Sequence, residues 1–174
     1  HKPLNFVHKL ADGSTRHVQT YAGPIEIYGD KLMLCIVHDI TEQKRLEEQL
    51  EHAAHHDAMT GLLNRRQFYH ITEPGQMQHL AIAQDYSLLL IDTDRFKHIN
   101  DLYGHSKGDE VLCALARTLE SCARKGDLVF RWGGEEFVLL LPRTPLDTAL
   151  SLAETIRVSV AKVSISGLPR FTVS

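Results

Sequence analysis

Cysteine is scarce in this sequence, long apolar runs are missing, and no sign of charge dominates. The 174 residues hold three cysteines, Cys35, Cys113 and Cys122, with no C-x-x-C pair and one left over. A reducing, cytosolic compartment fits that usage best. The longest apolar runs, "LMLCIV" and "FVLLL", are far too short to span a bilayer. Lys and Arg number 19 against 22 Asp and Glu, a net charge of −3. Such a balance offers no polyanion-binding surface, so nucleic acid is not favoured as a partner. No signal peptide is visible. His1 is an unlikely native start and Ser174 ends inside a strand-like run, "RFTVS". The expectation is an excerpt from a longer protein, whose other parts could carry a membrane anchor. What is present, 43% hydrophobic residues, is enough for one ordinary domain and a partial second.

Residues 1–41 alternate and turn. "DGS" and "YGD" are hairpin signals between apolar runs, which predicts a three-stranded antiparallel meander too small to be a complete domain. From Thr41 the period changes. Leu46, Leu50 and Ala53 fall at i, i+4, i+7, a helix with a narrow apolar seam. A solvated linker helix and a parallel dimer coil both fit it. His52, His55 and His56 share one face there. They fit a polar helix face better than a metal site, because no Cys or carboxylate joins them in a ligand pattern.

Beyond "DAMTGLLNRRQF" a helical region is broken by Pro74-Gly75. "YSLLLIDTD" then reads as a central strand covered on both faces and ending in carboxylates. A short helix, "RFKHINDLYGH", stops at Gly104. A longer one follows, with Val111, Leu112, Leu115, Leu119 and Cys122 on one face. "DLVFRW" and "FVLLLP" form a hairpin through Gly133 and Gly134. Another helix is opened by Thr144 as N-cap and Pro145 at the first position. "RFTVS" begins one more strand. The order β-α-α-β-β-α-β predicts an α/β sandwich.

The carboxylates carry the chemistry. Asp92 and Asp94 end the apolar strand, and Glu135 and Glu136 sit in the hairpin. If the hairpin pairs beside that strand, three or four carboxylates converge at one edge. Their repulsion is relieved by a divalent cation, and hard oxygen ligands suit Mg²⁺. Mg²⁺ fills its sphere with water and phosphates, which points to a nucleoside triphosphate and phosphoryl chemistry. Each residue also has a bland reading: Asp94 could N-cap "RFKHIN", Asp109 could close a capping box from Ser106, and Asn100 could be a polar helix-end residue.

"GGEEF" at Gly133–Phe137 resembles the signature of GGDEF-family diguanylate cyclases. "DAMTGLLNRR" and "DTDRFKHINDLYGHSKGDEVL" resemble two further blocks of that family, and the match covers residues 57–174. Residues 1–41, ending in "HDIT", look like the last three strands of a PAS domain. Residues 42–56 form the signalling helix between them. The resemblance implies the family's α/β sandwich, similar to nucleotide cyclases and polymerase palms, here truncated at its C-terminus. It implies condensation of two GTP into cyclic di-GMP with release of two pyrophosphates, by a homodimer using Mg²⁺ or Mn²⁺. Asp92, Glu135 and the Thr93 carbonyl would hold the metal, although the family commonly has an apolar residue where Thr93 stands. Glu135 would also help deprotonate the ribose 3′-hydroxyl, with Glu136 beside it, and Lys97 would neutralise the triphosphate. Asn100 and Asp109 would hydrogen-bond guanine, with Phe96, Gly133 and Gly134 lining the substrate. "RKGD", Arg124 to Asp127, resembles the family's product-inhibition site; an exposed loop salt bridge is the bland alternative. Two cationic phosphate ligands of the family lie beyond the strand starting "FTVS" and are absent here. A catalytically silent cyclic di-GMP receptor and a module that merely dimerises are the competing functions.

Overall fold

The computed structural model describes residues 2–73 and 86–174. The expected break at Pro74-Gly75 lies outside them. The chain divides into two compact units, His1–His52 and Ala53–Ser174.

In the first unit, β1 (Leu4–Lys9), β2 (Thr15–Ile27) and β3 (Asp30–Asp39) form an antiparallel sheet in the order β1-β2-β3. Both expected turns are present. Tyr28 and Gly29 have φ of 53° and 90°, the paired positive values that a two-residue type I′ hairpin demands. At the other turn the Asp12 carboxylate accepts from the Ser14 N–H at 2.8 Å. Helix α1 (Thr41–His55) follows and buries none of its residues. Its surface is braced by Lys44–Glu47 and Arg45–Glu42 pairs at i,i+3.

The second unit contains β4 (Leu63–Asn64), α2 (Arg65–Thr72), β5 (Tyr86–Asp92), α3 (Phe96–Tyr103), α4 (His105–Cys122), β6 (Leu128–Gly133), β7 (Glu136–Pro142) and α5 (Leu146–Val160). The sheet order is β4-β6-β7-β5, with β4 parallel to β6 and the other pairs antiparallel. One face is covered by Ile71 and Phe68 of α2, over Phe130, Val138 and Leu140. The opposite face joins Ile91, Phe137, Leu139 and Leu141 to the apolar stripes of α3, α4 and α5. This is the expected α/β sandwich.

Two expectations need correction. The strand covered on both faces is β7, buried from Phe137 to Leu141, rather than β5. In β5, Leu88 and Leu90 stay 48% and 65% exposed, because α2 packs over β6 and β7 and, among the described residues, no helix covers that face of β5. Pro145, not Thr144, is the N-cap of α5. The Thr144 hydroxyl is engaged elsewhere, donating to Pro142 O at 3.1 Å and accepting from Arg124. The short strand β4 has no periodic signal in two residues and escapes sequence reading. Residues 172–174 pair with the end of β5 through a Thr93–Val173 bridge and paired bonds between Asp92 and Ser174. Among the described residues all three cysteines are unpaired, and no helix is long and apolar enough to cross a membrane.

Candidate active site

The hairpin between β6 and β7 is built differently from a simple glycine-pair turn. Gly133 pairs with Glu136, so the two turn residues are Gly134 and Glu135. Gly134 has φ 53°, and Glu135 is not among the positive-φ residues. A positive φ at the first central position alone is the type II′ pattern and favours glycine there. No protein atom lies within 4 Å of where a Cβ on Gly133 or Gly134 would stand. Gly134 is thus required by backbone conformation and not by crowding.

Asp92 stands directly opposite Glu136 in the β5–β7 ladder. The Asp92 N–H and carbonyl both bond Ser174 on the other side. Asp92 and Glu136 are therefore a non-hydrogen-bonded pair, the closer kind, with both carboxylates on one face. Like charges so placed destabilise a sheet unless a cation lies between them. Among the described residues, however, no three His, Cys, Asp or Glu side chains gather tightly enough to hold a metal. The expected convergence of three or four carboxylates is reduced to this pair, with Glu135 in the adjoining turn. Asp94 is engaged by the Thr172 and Ser174 hydroxyls at 2.6 and 2.9 Å. It does not cap α3, whose N-cap is Arg95 at φ 55° without a side-chain cap bond.

Thr93 is 1% exposed. Its N–H and hydroxyl both donate to the Glu135 carbonyl, at 3.3 and 3.4 Å. An apolar residue at 93 would keep only the first of these bonds. The Thr93 carbonyl accepts from the Phe96 N–H at 3.3 Å, which leaves one lone pair for a further partner. The Asp92 and Glu136 carboxylates, Glu135 in the adjoining turn and the Thr93 carbonyl offer oxygen donors alone. Such a set fits Mg²⁺, which takes few protein ligands.

Helix α3 places the next residues. Phe96 packs into the core, so only its main chain is available to a ligand. Lys97 is exposed on the first turn. Asn100 lies against α4 at Gly108, where an added Cβ would collide with Asn100 Oδ1. That oxygen is buried and accepts no hydrogen bond. An unsatisfied buried acceptor is rare enough to require a reason. Gly108 was missed as a site residue in the sequence, although it stands inside the quoted "GHSKGD" block. Asp109 is exposed on α4, in a cleft of about 500 Å³ shared with Ser106, Cys113 and Arg117. Helix α4 begins after Gly104 without a side-chain cap bond, so Ser106 and Asp109 form no capping box.

Arg124 and Asp127 lie in the α4–β6 loop. Arg124 Nε meets Asp127 Oδ1 at 2.9 Å, and Nη2 donates to Pro142 O at 2.7 Å. The Asp127 carboxylate is buried while Arg124 is half exposed, beside a cleft of about 380 Å³. At the end of α1, His56 Nδ1 lies 2.8 Å from Gly61 O, and His55 stacks on His70.

Residues 54–169 match the GGDEF domain of diguanylate cyclases, and the chain belongs to that family. It is similar to the diguanylate cyclase DgcM of Escherichia coli O157:H7, 99% identical over all 174 residues of this chain and 42% of that protein. Among solved structures it is similar to the diguanylate cyclase SiaD of Pseudomonas aeruginosa, crystallised with its activator SiaC. That match has a TM-score of 0.62 and 38% identity, over 76% of this chain and 52% of that one. The coiled coil and GGDEF domain of Caulobacter crescentus DgcB, in complex with c-di-GMP, also matches at a TM-score of 0.62, with 29% identity over 76% and 74% of the two chains. The chain spans less than half the length of the curated relatives DgcM and YhcK of Bacillus subtilis.

Proposed function

We propose that the protein containing this chain is a diguanylate cyclase that condenses two GTP into cyclic di-GMP. The observation that carries the reading is the like-charged Asp92–Glu136 pair opposed across the ladder, next to the glycine turn that presents Glu135. Asp92, Glu135 and the Thr93 carbonyl hold Mg²⁺, or Mn²⁺ in its place. The metal, when bound, supplies charge neutralisation for the triphosphate. Glu135, with Glu136 beside it, takes the proton from a ribose 3′-hydroxyl. That oxygen forms a bond to the α-phosphorus of the other GTP, and the bond to pyrophosphate breaks; the second linkage forms the same way. Lys97 offsets charge on the departing phosphates. Asn100 and Asp109 hydrogen-bond the guanine edge, the Asp109 carboxylate accepting from its N1–H and N2–H₂ groups. Gly133, Gly134 and the Phe96 main chain let the nucleotide approach closely.

Each cyclase domain holds one GTP, so two copies of the chain must face each other in a homodimer. Residues 57–174 act as the cyclase domain, residues 42–56 as the signalling helix, and residues 1–41 as the C-terminal part of a PAS sensor in a cytoplasmic segment. The exposed apolar strands of the first unit support that last reading, since a PAS remnant would lack the rest of its core. Product binds at Arg124 and Asp127, as the half-exposed guanidinium beside a cleft supports. The test is product formation from GTP by the full-length protein. Glu135→Gln should lower turnover by about 10² to 10⁴, the usual contribution of a general base, with the fold intact. Near-normal synthesis of cyclic di-GMP by that variant would overturn the assignment.

A further inference from the structure

Arg131 makes a set of contacts that none of the roles above uses. Its Nη1 donates to both oxygens of Asp57, at 2.9 and 3.2 Å. Its Nε and Nη2 both donate to the Gly134 carbonyl, at 3.3 and 3.0 Å. The guanidinium is only 13% exposed and the Asp57 carboxylate 24%. Gly134 is the residue before Glu135, inside the turn. Asp57 lies two residues beyond the end of α1 and is itself fixed. It accepts from the Thr60 N–H at 2.9 Å and from the Thr60 hydroxyl at 2.8 Å. The neighbouring segment is pinned as well, because Asn64 Nδ2 donates to Ala54 O and His56 O while Asn64 Oδ1 caps α2.

We propose that Arg131 is a positioning residue for the reaction, holding the Gly134 carbonyl so that Glu135 keeps its place, and that Asp57 holds Arg131 in turn. The inference rests on the cyclase reading of the site. A glycine turn is the least constrained piece of backbone in the unit. Two successive carbonyls of this turn are nevertheless tied from outside it. Arg131 takes Gly134 O, and Thr93 takes Glu135 O. Arginine suits the task because its planar fork meets a carboxylate on one edge and a carbonyl on the other at fixed angles. Lysine, a point donor on a flexible stem, cannot reproduce both contacts. A shift of about 1 Å in a reacting group can cost about 10²-fold in rate, so a turn that wanders loses turnover without losing nucleotide.

The experiment uses the full-length protein with Arg131→Lys, Asp57→Asn and the double variant, reading kcat, KM for GTP and the thermal midpoint. The parent and Glu135→Gln are run first. A parent that makes no cyclic di-GMP from GTP removes the cyclase reading itself and the positioning role with it. With an active parent, Arg131→Lys should lower kcat by about 10- to 100-fold and leave KM within about 2-fold and the midpoint within a few degrees. Asp57→Asn should do the same to a smaller extent. The double variant should be no slower than Arg131→Lys alone, since both act through one contact. Wild-type kcat in Arg131→Lys overturns the proposal. So does a kcat loss that appears only together with a large fall in the midpoint, which is the mark of a plain structural salt bridge. Multiplying losses in the double variant would also overturn it.

Discussion

Strands β3 and β7 read almost alike in sequence and meet opposite fates. β3 carries "LMLCIV" and β7 carries "FVLLL". In β7 all five residues are buried, none more than 6% exposed. In β3 Leu32, Met33, Leu34, Ile36 and Val37 are all 45–68% exposed. The difference lies in what each sheet meets. β7 sits between β5 and β6, with α2 on one face and α3 to α5 on the other. Among the described residues of the first unit no helix is laid over the sheet, and only Val18 in the sheet and Ile40 just after it are buried. An apolar run therefore specifies a strand, while its burial is decided by elements far away in the chain.

The sharpest way to break this comparison is to truncate one residue in each strand. Phe137→Ala should cost about 3–5 kcal/mol in residues 1–174, because a large side chain leaves a cavity in a filled core. Leu34→Ala should cost less than about 0.5 kcal/mol in the same chain, as for other exposed substitutions. Urea unfolding followed by circular dichroism measures both. Equal losses would abolish the contrast. In the full-length protein the Leu34 loss should rise toward that of a core leucine if a PAS remainder covers the sheet, as proposed.

A second, smaller effect sharpens the comparison inside the second unit. Gly133 and Gly134 have open space where a Cβ would stand, and Gly108 does not. Gly108→Ala should displace Asn100 and Phe96 and cost about 1–3 kcal/mol, the usual overpacking penalty. Gly133→Ala meets no crowding, but its φ of 156° is one that a residue with a side chain rarely adopts, so its cost of about 1–3 kcal/mol comes from the backbone and leaves Asn100 undisturbed. Thermal unfolding measures both, and a Gly108→Ala loss below about 0.5 kcal/mol would mean that Asn100 yields without strain.

The same contrast marks what was legible in the sequence. Local signals were readable: both hairpins of the first unit, the buried stripe of α4 and the Gly104 stop. The site's sheet edge was readable too, because an apolar run ending in aspartates fixes where Asp92 must stand. The turn was readable as a hairpin but not in register, since "GG" alone does not say which residues occupy its centre. The Asp57–Arg131 contact was not readable, because it joins residues 74 apart through the fold. Nor was the exposed face of β5, which depends on where α2 packs. The Asn100–Gly108 approach needed two helices in place before it had meaning.

The smallest predicted effect compares two aspartates, one in each unit. Asp39 accepts from the Thr41 N–H at 2.9 Å, and hydrogen bonds to Thr41 hold its carboxyl below the usual range at the surface. Burial pushes the Asp57 carboxyl up. The Thr60 hydroxyl and N–H and the Arg131 guanidinium together outweigh burial and hold it below the usual range as well. A carboxylate depressed in the folded state stabilises it at pH values above the unfolded pKa, about 4 for aspartate. That stabilisation is lost as pH falls through the lower folded value. The Asp57 contribution should therefore be constant from pH 7 to about 5 and fade below about 4. Asp57→Asn should lose roughly 0.5–1 kcal/mol at pH 7, a partly exposed pair being screened by solvent. Its deficit against the parent should close as pH drops below about 4, because the parent then loses the same charge. Asp39→Asn should show no resolvable deficit at any of these pH values, since water replaces its contacts. Thermal midpoints of the parent and both variants, taken from pH 7 down to 3, decide it. A deficit for Asp57→Asn that persists unchanged at pH 3 would mean that its carboxylate charge contributes nothing and that only the shape of the side chain matters at the α1 exit.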